Sequence, residues 1–442
     1  MNKTDLLPLI KNIAITLGRQ LGAGVLQLLT VIIISRVYGP VGNGGYTVAL
    51  LLPTMMATLL SLGLAPANVY FLASGKYDGN TVWKSTTQIT FFISIVGLLF
   101  GALVITFFGE RWFPGIPQLM LWLALSCFPF ILLNGMLSGM FQGLQQFKKF
   151  NLILLLQPSC TLLIILFLSI SGVEDIAWLI SAYSFAAFVT TMVGIKTLLS
   201  LLKKPSDNVT ANSIPDYSKS ALKYGYKAHL SNILAFVNYK ADFFLLNFFI
   251  GPVEVGLYAI SVQLSEKLWL LSQAVSTVIL PKLSELSNDE EKRKLMTPLI
   301  TRWVLFTTVI GAIVLAILAD TLIYFFFGPV FLDAVPALLW LIPGITLMSA
   351  SRVLANDIAA RGRPELNMYT SFIVVIVNII GNLWLIPKLG LIGAAMATTI
   401  AYLLNFILRL IVHHHFTKIP FYKNLLPTFD DFILMKTLLI KK

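Results

Sequence analysis

Charge is scarce in this chain: Asp, Glu, Lys and Arg make up 12% of its 442 residues, while 57% are hydrophobic and the mean hydropathy is +0.83. Soluble globular domains carry about twice that share of charge, so a soluble fold is excluded. Cysteine is scarcer still. Cys127 and Cys160 are the only two and both lie in apolar runs, which excludes a disulfide-stapled scaffold and a cysteine metal centre. There are four histidines, and three of them, His413 to His415, are consecutive at the edge of an apolar run, where they read as headgroup contacts and not as metal ligands. No Walker pattern occurs, so the chain does not hydrolyse nucleotide by itself. No basic, aromatic-interleaved soluble domain is present, so the net charge of +12 speaks for anionic inner-leaflet lipid and against nucleic acid.

What the chain does have is length in apolar runs. Continuous Leu-, Ile- and Phe-rich stretches of about 20 residues match the thickness of a bilayer core and are too long and unbroken for barrel strands. They predict an all-α integral membrane protein with twelve transmembrane helices, near 12–37, 45–73, 84–108, 118–142, 150–171, 175–200, 224–250, 256–281, 299–319, 334–359, 366–386 and 391–412. The first run is too long for a cleavable signal and is expected to stay as a span. With both termini in the cytoplasm, only Arg36, Arg111 and Lys388 fall in outer loops. A Ser-, Pro- and Asn-rich stretch then divides the chain into a first six-helix bundle at 1–202, a cytoplasmic linker at 203–222, a second bundle at 223–415 and a cytoplasmic tail at 416–442.

The two halves are copies. "GPVGNGGY" at 39–46 and "GPVEVGLY" at 251–258 share Gly, Pro, Val, Gly and Tyr at matching places. "FFG" at 107–109 and 326–328 is followed in both halves by a proline, Pro117 or Pro336, and then by "LW". An even number of spans per half makes the copies parallel. The glycine-rich octet resembles a phosphate cradle, but Glu254 and Leu257 replace two of its glycines in the second copy. The shared Gly-Pro therefore predicts a tight turn.

The stretches "SRVYGPVGNGGYTVALLLPTMMATLLSLGLAPANVYFLASGK" and "NYKADFFLLNFFIGPVEVGLYAISVQLSEKLWLLSQAVSTVILPKLSEL", with the ending "LLPTFDDFILMKTLL", resemble the bacterial polysaccharide transporter family, the Wzx-type O-antigen flippases of the MATE-like MOP superfamily. The resemblance runs over the whole chain. It implies two six-helix bundles forming a V in the bacterial cytoplasmic (inner) membrane. It also implies alternating-access transfer of undecaprenyl-pyrophosphate-linked oligosaccharide, such as the O-antigen repeat unit of lipopolysaccharide, to the outer leaflet. Its expected partners are that lipid-linked oligosaccharide, membrane lipids and other polysaccharide-assembly proteins, with no cofactor and no enzymatic activity.

Charge inside the spans bears on cargo, since a lone mid-membrane charge costs at least about 2.5 kcal/mol. The first six spans hold no acidic residue: Asp5, Asp78, Glu110, Glu174 and Asp175 lie at ends or in loops. That favours an anionic cargo over a cation. Arg19 and Arg352, one from each half, lie about 10 to 14 Å from the cytoplasmic ends of their spans; either both face a central cleft, where a guanidinium fork suits pyrophosphate, or they snorkel to the surface or pair between helices. Gln20 and Gln27 share a polar stripe with Arg19, and Asn378 with Asn382 forms another in the eleventh span; each stripe reads as cavity lining or as interhelical glue. Lys240 and Glu266 are equally far from the turn at Val253, and Asp242 and Lys267 are nearly level. These four either neutralise one another across the hairpin, with Glu266, Asp242 and Lys267 as structural partners, or place Lys240 on the cargo. Arg409 is expected to snorkel to the surface. The reading is a lipid-linked oligosaccharide flippase. A MATE-like cation or multidrug exporter is the alternative, and a membrane polymerase would need a larger outer loop than any here.

Overall fold

The computed structural model describes residues 3–202, 214–286, 289–425, 427 and 431, and among them the chain is helical with no strand. The helices are α1 (Lys3–Leu60), α2 (Leu64–Ala73), α3 (Gly79–Trp112), α4 (Gln118–Ser126), α5 (Phe128–Gly143), α6 (Phe147–Ile170), α7 (Ala177–Leu202), α8 (Ile214–Phe249), α9 (Pro252–Ser265), α10 (Trp269–Glu285), α11 (Glu290–Phe327), α12 (Val335–Ala360) and α13 (Pro364–Thr417). Eight stretches are long and apolar enough to cross a membrane. Two of them are each broken by a glycine outside the helical region: Gly39 in α1, with φ 66° and ψ −168°, and Gly390 in α13, with φ 56° and ψ −133°. The turn expected at Gly39 is the first of these breaks, and Gly251, its repeat counterpart, has φ 131° between α8 and α9. Both backbones need glycine. Of the stretch read as a linker, Ile214 to Leu222 forms the first turns of α8, and residues 203–213 lie outside the described residues.

The chain divides into two compact units, residues 26–256 and residues 1–25 with 257–442. The 26–256 unit is held by backbone proximity at small residues. Gly135, Gly139 and Gly143 form one stripe on α5; a Cβ on Gly139 would meet the Ala65 carbonyl oxygen at 2.6 Å, and one on Gly143 would meet that of Asn68 at 2.8 Å. Such spacing lets membrane helices approach closely, which matters where lipid tails remove the hydrophobic drive between helices. The repeated octets meet in the same way. A Cβ on Gly44 would lie 1.7 Å from the Pro252 carbonyl oxygen, one on Gly256 2.1 Å from that of Pro40, and the Asn43 amide donates to the Gly256 carbonyl at 2.9 Å. Neutral side chains complete the unit: the buried Asn68 side-chain Oδ1 accepts from Tyr217 at 2.5 Å and from Thr86 at 3.1 Å.

In the other unit α12 packs against α10, α11 and α13. Val275, Ile279 and Leu283 of α10, Met296, Ile300 and Val304 of α11 and Val353 of α12 form one buried cluster. The outward faces of both units are apolar. Phe91 and Phe92 of α3 are each 68% exposed and Ile317 of α11 is 73% exposed, which suits contact with acyl chains and not with water.

Candidate functional site

Within the unit of residues 1–25 and 257–442, the helical run from Pro252 to Glu285 is interrupted by a 3-10 turn at Glu266–Leu268. Short 3-10 pieces inside a long helix commonly mark hinges or functional positions. The turn places two cations. The Lys267 ammonium lies 3.3 Å from the Gln263 side-chain oxygen, and a Cβ on Gly24 of α1 would be 3.9 Å from it. One residue after the turn, Trp269 is buried, donates from Nε1 to the Ile345 carbonyl at 3.2 Å and packs on Tyr402. The half-buried Arg352 guanidinium sits 4.5 Å above the Trp269 ring. Its Nε is buried and has no hydrogen-bond partner among the described residues. A ring face stabilises a desolvated guanidinium by up to about 2 kcal/mol while leaving its N–H fork in plane for a ligand. An anionic oxygen is the complement of that arrangement.

The other predicted positions are resolved unevenly. The side chains of Arg19 and Gln20 lie outside the described residues. Gln27 is exposed on α1. Asn378 is fully buried and its side-chain oxygen accepts from Asn382 at 3.1 Å, a bond inside α13 itself. Lys240 lies 4.7 Å from the Phe243 ring, and the buried Asp242 accepts from the Phe243 backbone N–H at 2.8 Å, both in the 26–256 unit; Glu266 and Lys267 belong to the other. Arg409 corrects its expectation: it is 7% exposed and donates toward Ser351 of α12 at 3.3 Å, so it does not snorkel. Trp269 was not among the expected residues. Its only signal is an indole placed two residues after a charged pair inside an apolar run.

A second feature lies in the 26–256 unit, a groove of about 630 Å³ lined by Tyr70, Gly135, Ser138, Gln142, Tyr224 and Asn232. Among the described residues no charged side chain lines it. Close backbone approach builds it: a Cβ on Gly63 would lie 2.1 Å from the Gly225 carbonyl oxygen, so α2 meets α8 closely enough for Tyr70 and Tyr224 to stack at 4.5 Å. Ser138 and Gln142 of α5 line this groove, whereas Asn134 on the same helix bonds Thr191 and the Ala187 carbonyl of α7.

Residues 9–287 match the family described as polysaccharide biosynthesis protein. The chain belongs to this polysaccharide biosynthesis family. Among its curated relatives is the "Probable low-salt glycan biosynthesis flippase Agl15" of Haloferax volcanii, 28% identical over 259 residues, 58% of this chain and 53% of Agl15; the match thus spans about half of that relative's length. The "Putative O-antigen transporter" of Shigella flexneri is 22% identical over 390 residues, covering 85% of this chain and 90% of the relative. Among solved structures, the lipid II flippase MurJ in an inward closed conformation superposes with a TM-score of 0.75 at 16% identity, over 96% of this chain and 92% of MurJ. An outward-facing MATE multidrug transporter gives 0.66 at 13% identity, covering 93% of this chain and 95% of that one. At these identities the structural likeness establishes the fold alone, a membrane-transporter fold shared with MurJ and the MATE protein.

Proposed function

We propose that the chain is a flippase of the cytoplasmic membrane that moves a polyprenyl-pyrophosphate-linked oligosaccharide between leaflets by alternating access. The observation that carries this reading is Arg352, a membrane-depth cation held by an indole face, with a buried N–H that no described protein group uses. A pyrophosphate presents the fork-matching oxygens such a group lacks. Lys267, two residues before Trp269 in sequence, is a second candidate cation, and Arg19 is a third from α1. The neutral groove offers groups of the kind that bind sugar, the outer faces of the Tyr70 and Tyr224 pair for a pyranose ring and the Ser138, Gln142 and Asn232 side chains for its hydroxyls. The glycan flippase and O-antigen transporter among its relatives support this cargo class. Counting each glycine-broken helix as two spans, and adding α8 and α9 to α10, gives twelve spans with both termini cytoplasmic and paired halves at 1–202 and 223–415.

The test is genetic. Deleting the gene in a bacterium that makes the polysaccharide should abolish surface glycan and leave the lipid-linked precursor on the inner leaflet, with wild type restoring export. Arg352→Ala at normal abundance should not restore it, and Arg352→Lys should do so in part. Normal surface glycan in the deletion strain would refute the reading.

A further inference from the structure

A cluster of ionisable groups that the cargo site does not use lies where α11 begins, α12 ends and α13 makes its last turns. Asp357 of α12 is wholly buried. Its Oδ2 accepts from Arg361 Nε at 2.6 Å, and its Oδ1 accepts from Thr297 of α11 at 3.0 Å. Arg361 also donates to Glu290 of α11 at 2.7 Å, so one guanidinium ties the two helices together. Glu290 lies 3.6 Å from Arg293, which is anchored on the Leu283 carbonyl of α10 at 2.9 Å and the Ala360 carbonyl at 3.1 Å. From α13 comes His413, with 0% of its surface exposed. Neither ring nitrogen has a hydrogen-bond partner among the described residues, yet Nε2 is 3.7 Å from Asp357 Oδ2. The neighbouring His414 is turned to the Ile419 carbonyl at 2.7 Å, and Arg409, one turn earlier, to Ser351.

The charges of Arg293, Arg361, Glu290 and Asp357 sum to zero, two positive and two negative. A buried imidazole with nothing to bond, aimed at an oxygen that already serves a guanidinium, is therefore the group free to change the balance. We propose that His413 and Asp357 form a proton-binding site, at which a proton taken up by the imidazole makes His413 a competitor of Arg361 for Asp357 Oδ2. While the imidazole is uncharged, Arg361 holds the oxygen, as its 2.6 Å bond does here. Proton uptake from water forms the imidazolium, whose N–H donates to Oδ2, and weakens the Arg361 tie between α11 and α12. Proton release reverses both changes. The site thus links proton occupancy to the packing of three helices in this unit, a chemical basis for driving or gating transport.

The experiment is a titration of the full-length protein in lipid nanodiscs, following the imidazole nitrogens by NMR, with the His413 signal identified by its loss in His413→Asn. In Arg361→Gln, which removes the competitor, proton affinity at His413 should rise by about tenfold, one pH unit or more. If Arg361→Gln does not fold, Arg361→Lys should shift the midpoint in the same direction by less, because lysine lacks the Nε–H that now holds Oδ2. An unchanged midpoint in the folded variant overturns the proposal, as does a wild-type His413 that never protonates between about pH 4 and 9. No readout involves cargo, so the outcome is independent of the flippase reading.

Discussion

In the 26–256 unit the buried polar side chains are amides and hydroxyls, such as Asn68, Ser85, Thr86, Asn134 and Thr191, with Asp242 the buried carboxylate among them. The unit of residues 1–25 and 257–442 buries, besides its own amides and hydroxyls, Arg293, Arg302, Asp357, Arg409 and His413. The contrast has energetic content. A buried amide or hydroxyl left unpaired costs about 1–3 kcal/mol, whereas an ion stripped of its partner costs about 3–5 kcal/mol. Repeated halves have therefore diverged in what they can do with burial: one offers a neutral surface, the other stores charge that a bound anion or proton can rebalance. Arg302 shows how far the second unit relies on pairing, since it holds Asp431 at 2.7 Å and the Lys423 carbonyl at 2.6 Å, fastening part of the carboxy-terminal segment to α11.

The largest effect is expected at Asp357. Asp357→Ala takes the buried partner from Arg361, leaving it only the more exposed Glu290, and should destabilise by on the order of 3 kcal/mol, seen as lost membrane abundance and a lower melting temperature in detergent. The double change with Arg361→Gln should recover part of the loss. Wild-type melting of Asp357→Ala would remove the contrast between the units. Next come the octets: Gly44→Ala or Gly256→Ala forces a methyl onto a backbone carbonyl and should cost at least about 1–3 kcal/mol. Gly135→Ala, where a Cβ would meet nothing within 4 Å, should melt like wild type.

Smaller effects belong to the neutral unit. Tyr217→Phe removes the 2.5 Å hydrogen bond to Asn68 and should cost about 1 kcal/mol in a thermal melt. A cost as large as that of Asp357→Ala would show that neutral networks matter as much as ionic ones. Least is expected outside the spans. Asp78 caps α3 by accepting from the Asn80 and Thr81 N–H groups. Partial burial raises its carboxyl, but the Thr81 hydroxyl and the capping N–H groups outweigh this and hold it below its ordinary value of 3.8. Because the folded value is depressed, the stabilisation is complete above the unfolded value and fades as pH falls through the folded one. Asp78→Ala should cost about 1 kcal/mol at neutral pH, and the gap to wild type should close in acid.

The membrane class, the turn at Gly39 and Gly251 and the family were legible in the sequence because each rests on local signals: run length, residue identity and an internal repeat. The closeness of Gly44 to Pro252 was not, since two helices must be packed before a missing Cβ acquires meaning. Arg409 was misjudged for a related reason: reach to the surface is countable along one helix, but the Ser351 hydroxyl that keeps it buried comes from another. Asp357 and Arg361 stand four apart, the spacing of a helix pair, but that spacing does not tell that the pair is buried against α11 and α13. Trp269 gained significance only once the 3-10 turn set it beneath Arg352.

The account's central claim, that the charge-bearing unit holds an anionic lipid-linked cargo through Arg352, is tested most directly by reconstitution. Purified protein in liposomes carrying a polyprenyl-pyrophosphate-linked oligosaccharide in one leaflet is assayed for its appearance in the other, alongside a cationic amphiphile. The account predicts protein-dependent movement of the pyrophosphate lipid, none of the cation, and a loss of about tenfold or more with Arg352→Ala, the effect of one charge-assisted contact of roughly 1.5–3 kcal/mol. Wild-type rates in Arg352→Ala, or movement of the cation alone, would contradict it.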